Sequence, residues 1–177
     1  IRHDMGERRK AICALTTNHT FFFREVHHFD HLASEVRMPL LTRAAKSPVR
    51  IWSAGCSSGE ETWSIAMTLL GEDRSMARAL GERDFAILAT DLADHALATA
   101  RAATYPVGSI DAIPGALRSL WMKERNDQAI LSQDVVKLVR FRMLNLLGPW
   151  PMERQFDVIF CRNVMIYFDQ PTKERLM

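Results

Sequence analysis

The sequence predicts an α/β domain, a mainly parallel sheet covered by helices. Three observations carry this expectation. Short apolar runs at Arg50–Ala54, Phe85–Thr90 and Phe156–Phe160 alternate with helical patterns, as strand–helix–strand units do. The first run enters a small-residue turn, Gly55-Cys56-Ser57-Ser58-Gly59, and then a helix. The chain has 177 residues, 47% of them hydrophobic, enough for one such core and too few for two.

Taken in order, residues 5–15 read as the end of a helix, and Thr16-Thr17-Asn18-His19-Thr20 as a polar break. The spacing of Phe22, Val26, Phe29, Leu32 and Val36 predicts a helix from Phe21 to about Leu41, ended or bent by Pro39. Ser47-Pro48 introduces the first strand, and the helix after its turn runs from Glu60 to about Leu70. The second strand ends on Asp91; a helix over roughly Asp94–Ala103 follows and closes at Tyr105-Pro106. A short helix is expected around Leu117–Glu124, and Ala129–Leu131 and Val135–Leu144 read as two strands of a small hairpin. Phe156–Phe160 is the third core strand, and Asp169-Gln170-Pro171 starts a last helix.

Several function classes are disfavoured at once. No run approaches ~18 apolar residues, so no transmembrane helix is expected. The start, Ile1-Arg2-His3-Asp4, lacks both an initiating Met and a signal-peptide pattern, which suggests a fragment. Cys13, Cys56 and Cys161 are unpatterned and fit reduced thiols in a cytoplasm. The 23 basic and 21 acidic side chains leave a net charge of +2, no signature for nucleic acid. His27, His28 and His31 with Asp30 read as a solvated helix face, so no metal is expected.

The turn at 55–59 resembles a dinucleotide loop, but its helix opens with Glu60-Glu61, and two carboxylates would repel a pyrophosphate. Their alternative role is to stabilise the helix dipole. Asp91 ends a strand, where an acidic side chain can accept both hydroxyls of a ribose; its alternative is to cap the next helix, a role open to Asp94 as well. Cys161-Arg162-Asn163 falls at a third strand end. A positively charged nucleoside without phosphates fits these features, and S-adenosylmethionine is such a ligand.

Three motifs then become recognisable: Thr17-Asn18-His19-Thr20-Phe21-Phe22-Phe23-Arg24-Glu25, Trp52-Ser53-Ala54-Gly55-Cys56-Ser57-Ser58-Gly59-Glu60-Glu61, and Phe160-Cys161-Arg162-Asn163-Val164-Met165-Ile166-Tyr167-Phe168-Asp169. In this order, with Asp91 and Asn145-Leu146-Leu147 between them, they resemble the CheR family of chemotaxis receptor methyltransferases. The resemblance implies an α/β, Rossmann-like class I methyltransferase sheet with helices on both faces over 16–177, a linker and helix end over 1–15, and a small antiparallel β insertion, a subdomain at about 105–145. It implies S-adenosylmethionine as cofactor, S-adenosylhomocysteine as product, and glutamates on the cytoplasmic helices of methyl-accepting chemoreceptors as substrate. Asn18, Thr20, Arg24, Glu61, Asp91, Asn145, Leu146, Cys161 and Arg162 would form the cofactor site, with Arg24 and Tyr167 nearest the transferring methyl. Full-length members also carry an N-terminal helical domain and a final strand pair, both expected to be missing here. The compact insertion suggests independence from a receptor tether peptide.

The chemistry agrees with the residue types. A glutamate with pKa ~4.3 is already ionised at neutral pH, so methylating it needs alignment and no general base. Arg24 can hold a carboxylate through two parallel hydrogen bonds, whereas its ordinary role would be an ion pair with Glu25. Tyr167 could equally be a packed ring with a satisfied hydroxyl. The competing class is a non-catalytic module that binds S-adenosylmethionine or S-adenosylhomocysteine; the presence of both Arg24 and Tyr167 favours the enzyme.

Overall fold

The computed structural model describes residues 20–176. Asn18 and the helix end expected over 5–15 therefore lie outside the described residues. The strands are β1 (Val49–Ala54), β2 (Phe85–Asp91), β3 (Thr104–Pro106), β4 (Met122–Arg125), β5 (Gln128–Leu131), β6 (Val139–Met143) and β7 (Val158–Phe160). The α-helices are α1 (His27–His31), α2 (Arg37–Ala44), α3 (Glu60–Leu70), α4 (Arg74–Gly81), α5 (Asp94–Ala102), α6 (Gly115–Trp121), α7 (Gln133–Val136) and α8 (Gln170–Leu176).

A parallel sheet in the order β6-β2-β1-β7 forms the frame, and a small antiparallel sheet, β3-β5-β4, stands beside it. Leaving β1, the chain builds outward through β2 to one side and later returns to place β7 on the other. The strand order thus reverses between β1 and β7, where open α/β sheets collect ligands. Helix α3 is buried from Thr62 to Leu70, because structure covers it on every side. Its last carbonyls are satisfied by Arg37, whose Nε donates to Leu69 O at 2.8 Å, and Trp121 Nε1 donates to Gly71 O at 2.7 Å just beyond. Among the described residues, no helix is long and apolar enough to cross a membrane.

The expected fold class and core strands are present; four local expectations are corrected. The helix expected from Phe21 begins only at His27, because Phe23 and Glu25 have φ of 52° and 57° and no helix passes through that region. Pro39 does not end it. A π-helical turn over Leu32–Val36 precedes α2, and its wider spacing accommodates a proline in the first turn of the next segment. The run at 135–144 splits: Ser132 accepts the Asp134 N–H at 3.3 Å and starts α7, while Val139–Met143 joins the parallel sheet. Instead, β4 and β5 make the hairpin, with Asn126 and Asp127 both at positive φ, as a two-residue turn of the favoured hand requires. Within the expected insertion of about 105–145, the antiparallel sheet occupies 104–131. Tyr105-Pro106 belongs to β3, and α4 has no counterpart among the expected elements.

Candidate cofactor site

The carboxyl ends of β1, β2, β6 and β7 open onto a cavity of about 320 Å³ at the reversal point of the sheet. That volume lies within the ~300–1,000 Å³ usual for small-molecule sites. Gly55 and Ser57 enter it from β1, Asp91 from β2, Asn145 and Leu146 from the loop after β6, and Arg162 from the loop after β7. Thr20 and Arg24 close it from the segment before α1, and Tyr167 stands at its mouth, 62% exposed.

The turn after β1 is held from within. Gly55, at φ 75°, and Cys56 both donate to Thr90 O, at 2.8 and 2.9 Å. A Cβ on Gly55 would fall 2.3 Å from Val164 Cγ2, so the loop after β7 packs directly on this turn. Ser57 N–H donates to Asp91 Oδ2 at 2.7 Å, and Gly59 N–H to Cys56 O at 2.9 Å. From behind, the Tyr105 hydroxyl donates to Ser58 O at 2.6 Å and accepts from Trp63 Nε1 at 2.8 Å. The N–H groups of Gly55, Cys56, Ser57 and Gly59 are thus all engaged inside the protein. A phosphate would find none of these four available, which counts against the dinucleotide reading.

Asp91 lines the cavity with both carboxylate oxygens held by backbone donors. Its Oδ1 accepts the Ala93 N–H at 2.9 Å ahead of α5, and its other oxygen takes Ser57. Two backbone donors fix the carboxylate and leave it further lone pairs for ligand hydroxyls. The two glutamates diverge. Glu60 turns back to accept from Ser58 Oγ at 2.7 Å, whereas Glu61 faces the cavity. Glu61 accepts from Ser53 Oγ at 2.9 Å, Thr62 Oγ1 in turn donates to Ser53, and Arg162 Nη1 lies 3.5 Å from its other oxygen. Burial pushes the Glu61 carboxyl up, against the Ser53 hydrogen bond and the Arg162 cation, which draw it down.

Arg162, only 10% exposed, is the hub of the site. Its Nη2 donates to the Arg24 carbonyl and to Glu25 Oε2, the latter at 3.1 Å, and its guanidinium lies 5.4 Å over the Phe29 ring. Its Nε is buried without a protein partner, a donor left over on a cavity-lining residue. Asn163 Nδ2 donates to Glu25 Oε1 at 3.2 Å. Together these bonds hold the Glu25 carboxyl at about 2, well below its ordinary value. Arg24 Nε is 3.9 Å from Glu25, so the ion pair weighed for it exists, on a turn and not on a helix face.

Of the ten expected site residues, Thr20, Arg24, Glu61, Asp91, Asn145, Leu146, Arg162 and Tyr167 line this one cavity. Cys161 instead faces an adjoining groove with Trp52 and Trp150, where burial pushes its thiol up. Sequence reasoning passed over Glu25, Ser57 and Asn163 as site residues, although all three stand within the quoted motifs. Glu25, His27 and His28 place ligand-type atoms within 4.8 Å of one another, but both Glu25 oxygens already accept from Arg162 and Asn163. Burial and the Arg162 cation push His28 down.

The donor set suits S-adenosylmethionine: two carboxylates for hydroxyl and cationic groups, an Asn side chain and apolar walls. Residues 18–177 match the family model described as CheR methyltransferase, SAM binding domain. The chain belongs to this family. Curated relatives agree. A protein of Rhizobium etli described as "Probable chemotaxis protein methyltransferase" is 44% identical, over 96% of this chain and 63% of its own length. The chemotaxis protein methyltransferases of Borreliella burgdorferi and Escherichia coli are 41% and 37% identical, over 94% and 97% of this chain and 60% and 58% of theirs. The CheR-type chain described here thus spans about three fifths of the length of these relatives.

Proposed function

We propose that the chain binds S-adenosylmethionine in this cavity and methylates glutamate side chains on the cytoplasmic helices of chemoreceptors, releasing S-adenosylhomocysteine. The observation that carries the reading is the meeting of Asp91, Glu61, Arg24 and Tyr167 in one cavity at the reversal point of the sheet. When bound, S-adenosylmethionine supplies an activated methyl group on a sulfonium. Asp91 accepts the ribose hydroxyls, and Glu61 offers a negative charge in a low-dielectric wall. Arg24 and Tyr167, at the mouth, hold and orient the incoming carboxylate, so the protein contributes alignment more than proton transfer. The short β4–β5 turn supports a reading in which receptor engagement does not depend on a tether peptide. The reaction is assigned to the cytoplasm, where the receptor helices lie.

Calorimetry should find binding of S-adenosylmethionine and S-adenosylhomocysteine and none of NAD. Methyl transfer to a receptor-derived helical peptide should hold a flat rate from pH 6 to 8.5, because the acceptor is ionised throughout and no histidine lines the cavity among the described residues. An inflection near pH ~6.5 that disappears on mutating one histidine would replace this reading with base catalysis. Tyr167→Phe should lower kcat while leaving S-adenosylhomocysteine affinity nearly unchanged; unaltered turnover would reduce its hydroxyl to a packing role.

A further inference from the structure

Residues 20–26 wall one side of the cavity, yet they belong to no strand and precede α1. Their backbone is unfavourable as it stands, since Phe23 and Glu25 occupy the left-handed region without being glycine. Two anchors hold it. At Phe23, the N–H donates to Ser64 Oγ on α3 at 3.0 Å, and the ring packs 5.0 Å from Phe29. At Glu25, the carboxylate receives Arg162 at 3.1 Å, Asn163 at 3.2 Å and His28 at 3.3 Å. The first anchor is core packing. The second is polar and stands at the mouth of the cavity.

We propose that Glu25 is a positioning residue, a latch that holds the 20–26 segment against the loop after β7 and thereby shapes the cofactor cavity. Glu25 does not line the cavity, but Arg24, Arg162 and Asn163 do, and it touches all three. Arg162 is shared between two carboxylates, with the closer contact to Glu25 (3.1 Å) and the longer to Glu61 (3.5 Å). Withdrawing the Glu25 charge frees Arg162 to move toward Glu61 and releases Asn163, so the turn that presents Thr20 and Arg24 loses its fixed place. Charge-assisted hydrogen bonds of this kind are the stronger ones, and two of them act here in parallel. The carboxylate is held ionised across the whole neutral range, so the latch is permanently set rather than pH-switched.

The inference rests on the proposed cofactor role of the cavity, and its test separates the two. Hydrogen exchange and S-adenosylhomocysteine titration are measured on the unmutated chain, Glu25→Gln and Glu25→Asp. In Glu25→Gln, exchange should accelerate over 20–26 and 161–164 while α3 and the parallel sheet keep their protection, and Kd should rise ~10-fold, equivalent to ~1.4 kcal/mol. Glu25→Asp, which keeps the charge on a shorter stem, should fall between. In turnover with saturating peptide, KM for S-adenosylmethionine should rise more than kcat falls. Unchanged exchange over 20–26, or Kd within twofold of the unmutated chain, overturns the latch. So does faster exchange spread evenly through the chain with a lowered Tm, which would mark general stability. If the unmutated chain itself binds no S-adenosylhomocysteine, the cofactor reading fails, and the exchange pattern alone decides for or against the latch.

Discussion

Asp91→Ala is expected to weaken S-adenosylhomocysteine binding by ~1.5–3 kcal/mol, roughly ten- to a hundredfold, while leaving a folded chain. The magnitude follows from a charged acceptor serving two hydroxyl donors in a partly buried position. Geometry sharpens the expectation. Because Ser57 and Ala93 N–H groups fix the two carboxylate oxygens at 2.7 and 2.9 Å, the side chain is preorganised, and little ordering cost remains at binding. Those same bonds tie the turn after β1 to the start of α5. The Ala variant should therefore also lose some local stability, ~1 kcal/mol, visible as a modest fall in Tm. Asp91→Asn, which keeps one oxygen acceptor, should lose less affinity than Ala. Calorimetry on variants checked by circular dichroism measures this, and a folded Ala variant with unaltered affinity would remove the ribose assignment.

What was legible in the sequence was what depends on local pattern. Strand β1, the small-residue turn and helix α3 announce themselves through a buried run, two glycines and a first turn of carboxylates, and the structure places α3 at Glu60–Leu70 as expected. Asp91 could be singled out because a strand end is visible in the apolar pattern of Phe85–Thr90. Helix α4 escaped attention because its alternation of Arg, Ala and Leu is short. Even so, Asp73 caps it by accepting the Ser75 N–H at 2.8 Å, a signal present in the sequence.

The region around Phe21–Glu25 failed for a different reason. Phe22, Phe29 and Leu32 are buried as the helical spacing implies, but Val26 is 53% exposed, because the chain makes a left-handed turn between them. Nothing in the residue types demands positive φ at Phe23 and Glu25. The demand comes from Ser64, Arg162 and Asn163, and Arg162 and Glu25 lie 137 residues apart. A conformation imposed by tertiary contacts cannot be read from local propensity. Cys161 lines the adjoining groove, and Arg162 lines both that groove and the cavity.

The Arg162–Glu61 pair carries the largest expected stability effect, and it depends on pH in a definite sense. Burial raises the Glu61 pKa above its unfolded value, so between those two values the folded chain holds a proton that the unfolded chain has released. Stability therefore falls as pH rises through that window, and the full penalty is present above it. Arg162 opposes the rise, since its guanidinium lies 3.5 Å from the carboxylate and only 10% exposed. Arg162→Met keeps an apolar stem over Phe29 but removes the cation, which carries the window to higher pH and deepens the loss. Breaking one side of a buried pair typically costs ~3–5 kcal/mol. The deficit of Arg162→Met against the unmutated chain should be larger at pH 8 than at pH 5, because lower pH favours the protonated, uncharged Glu61. Urea midpoints at the two pH values measure it, and in a Glu61→Gln background the deficit caused by Arg162→Met should be independent of pH. Equal deficits at pH 5 and 8 in the single variant would mean that Arg162 stabilises the fold through Glu25, the Arg24 carbonyl and its stacking on Phe29, with Glu61 contributing nothing that titrates.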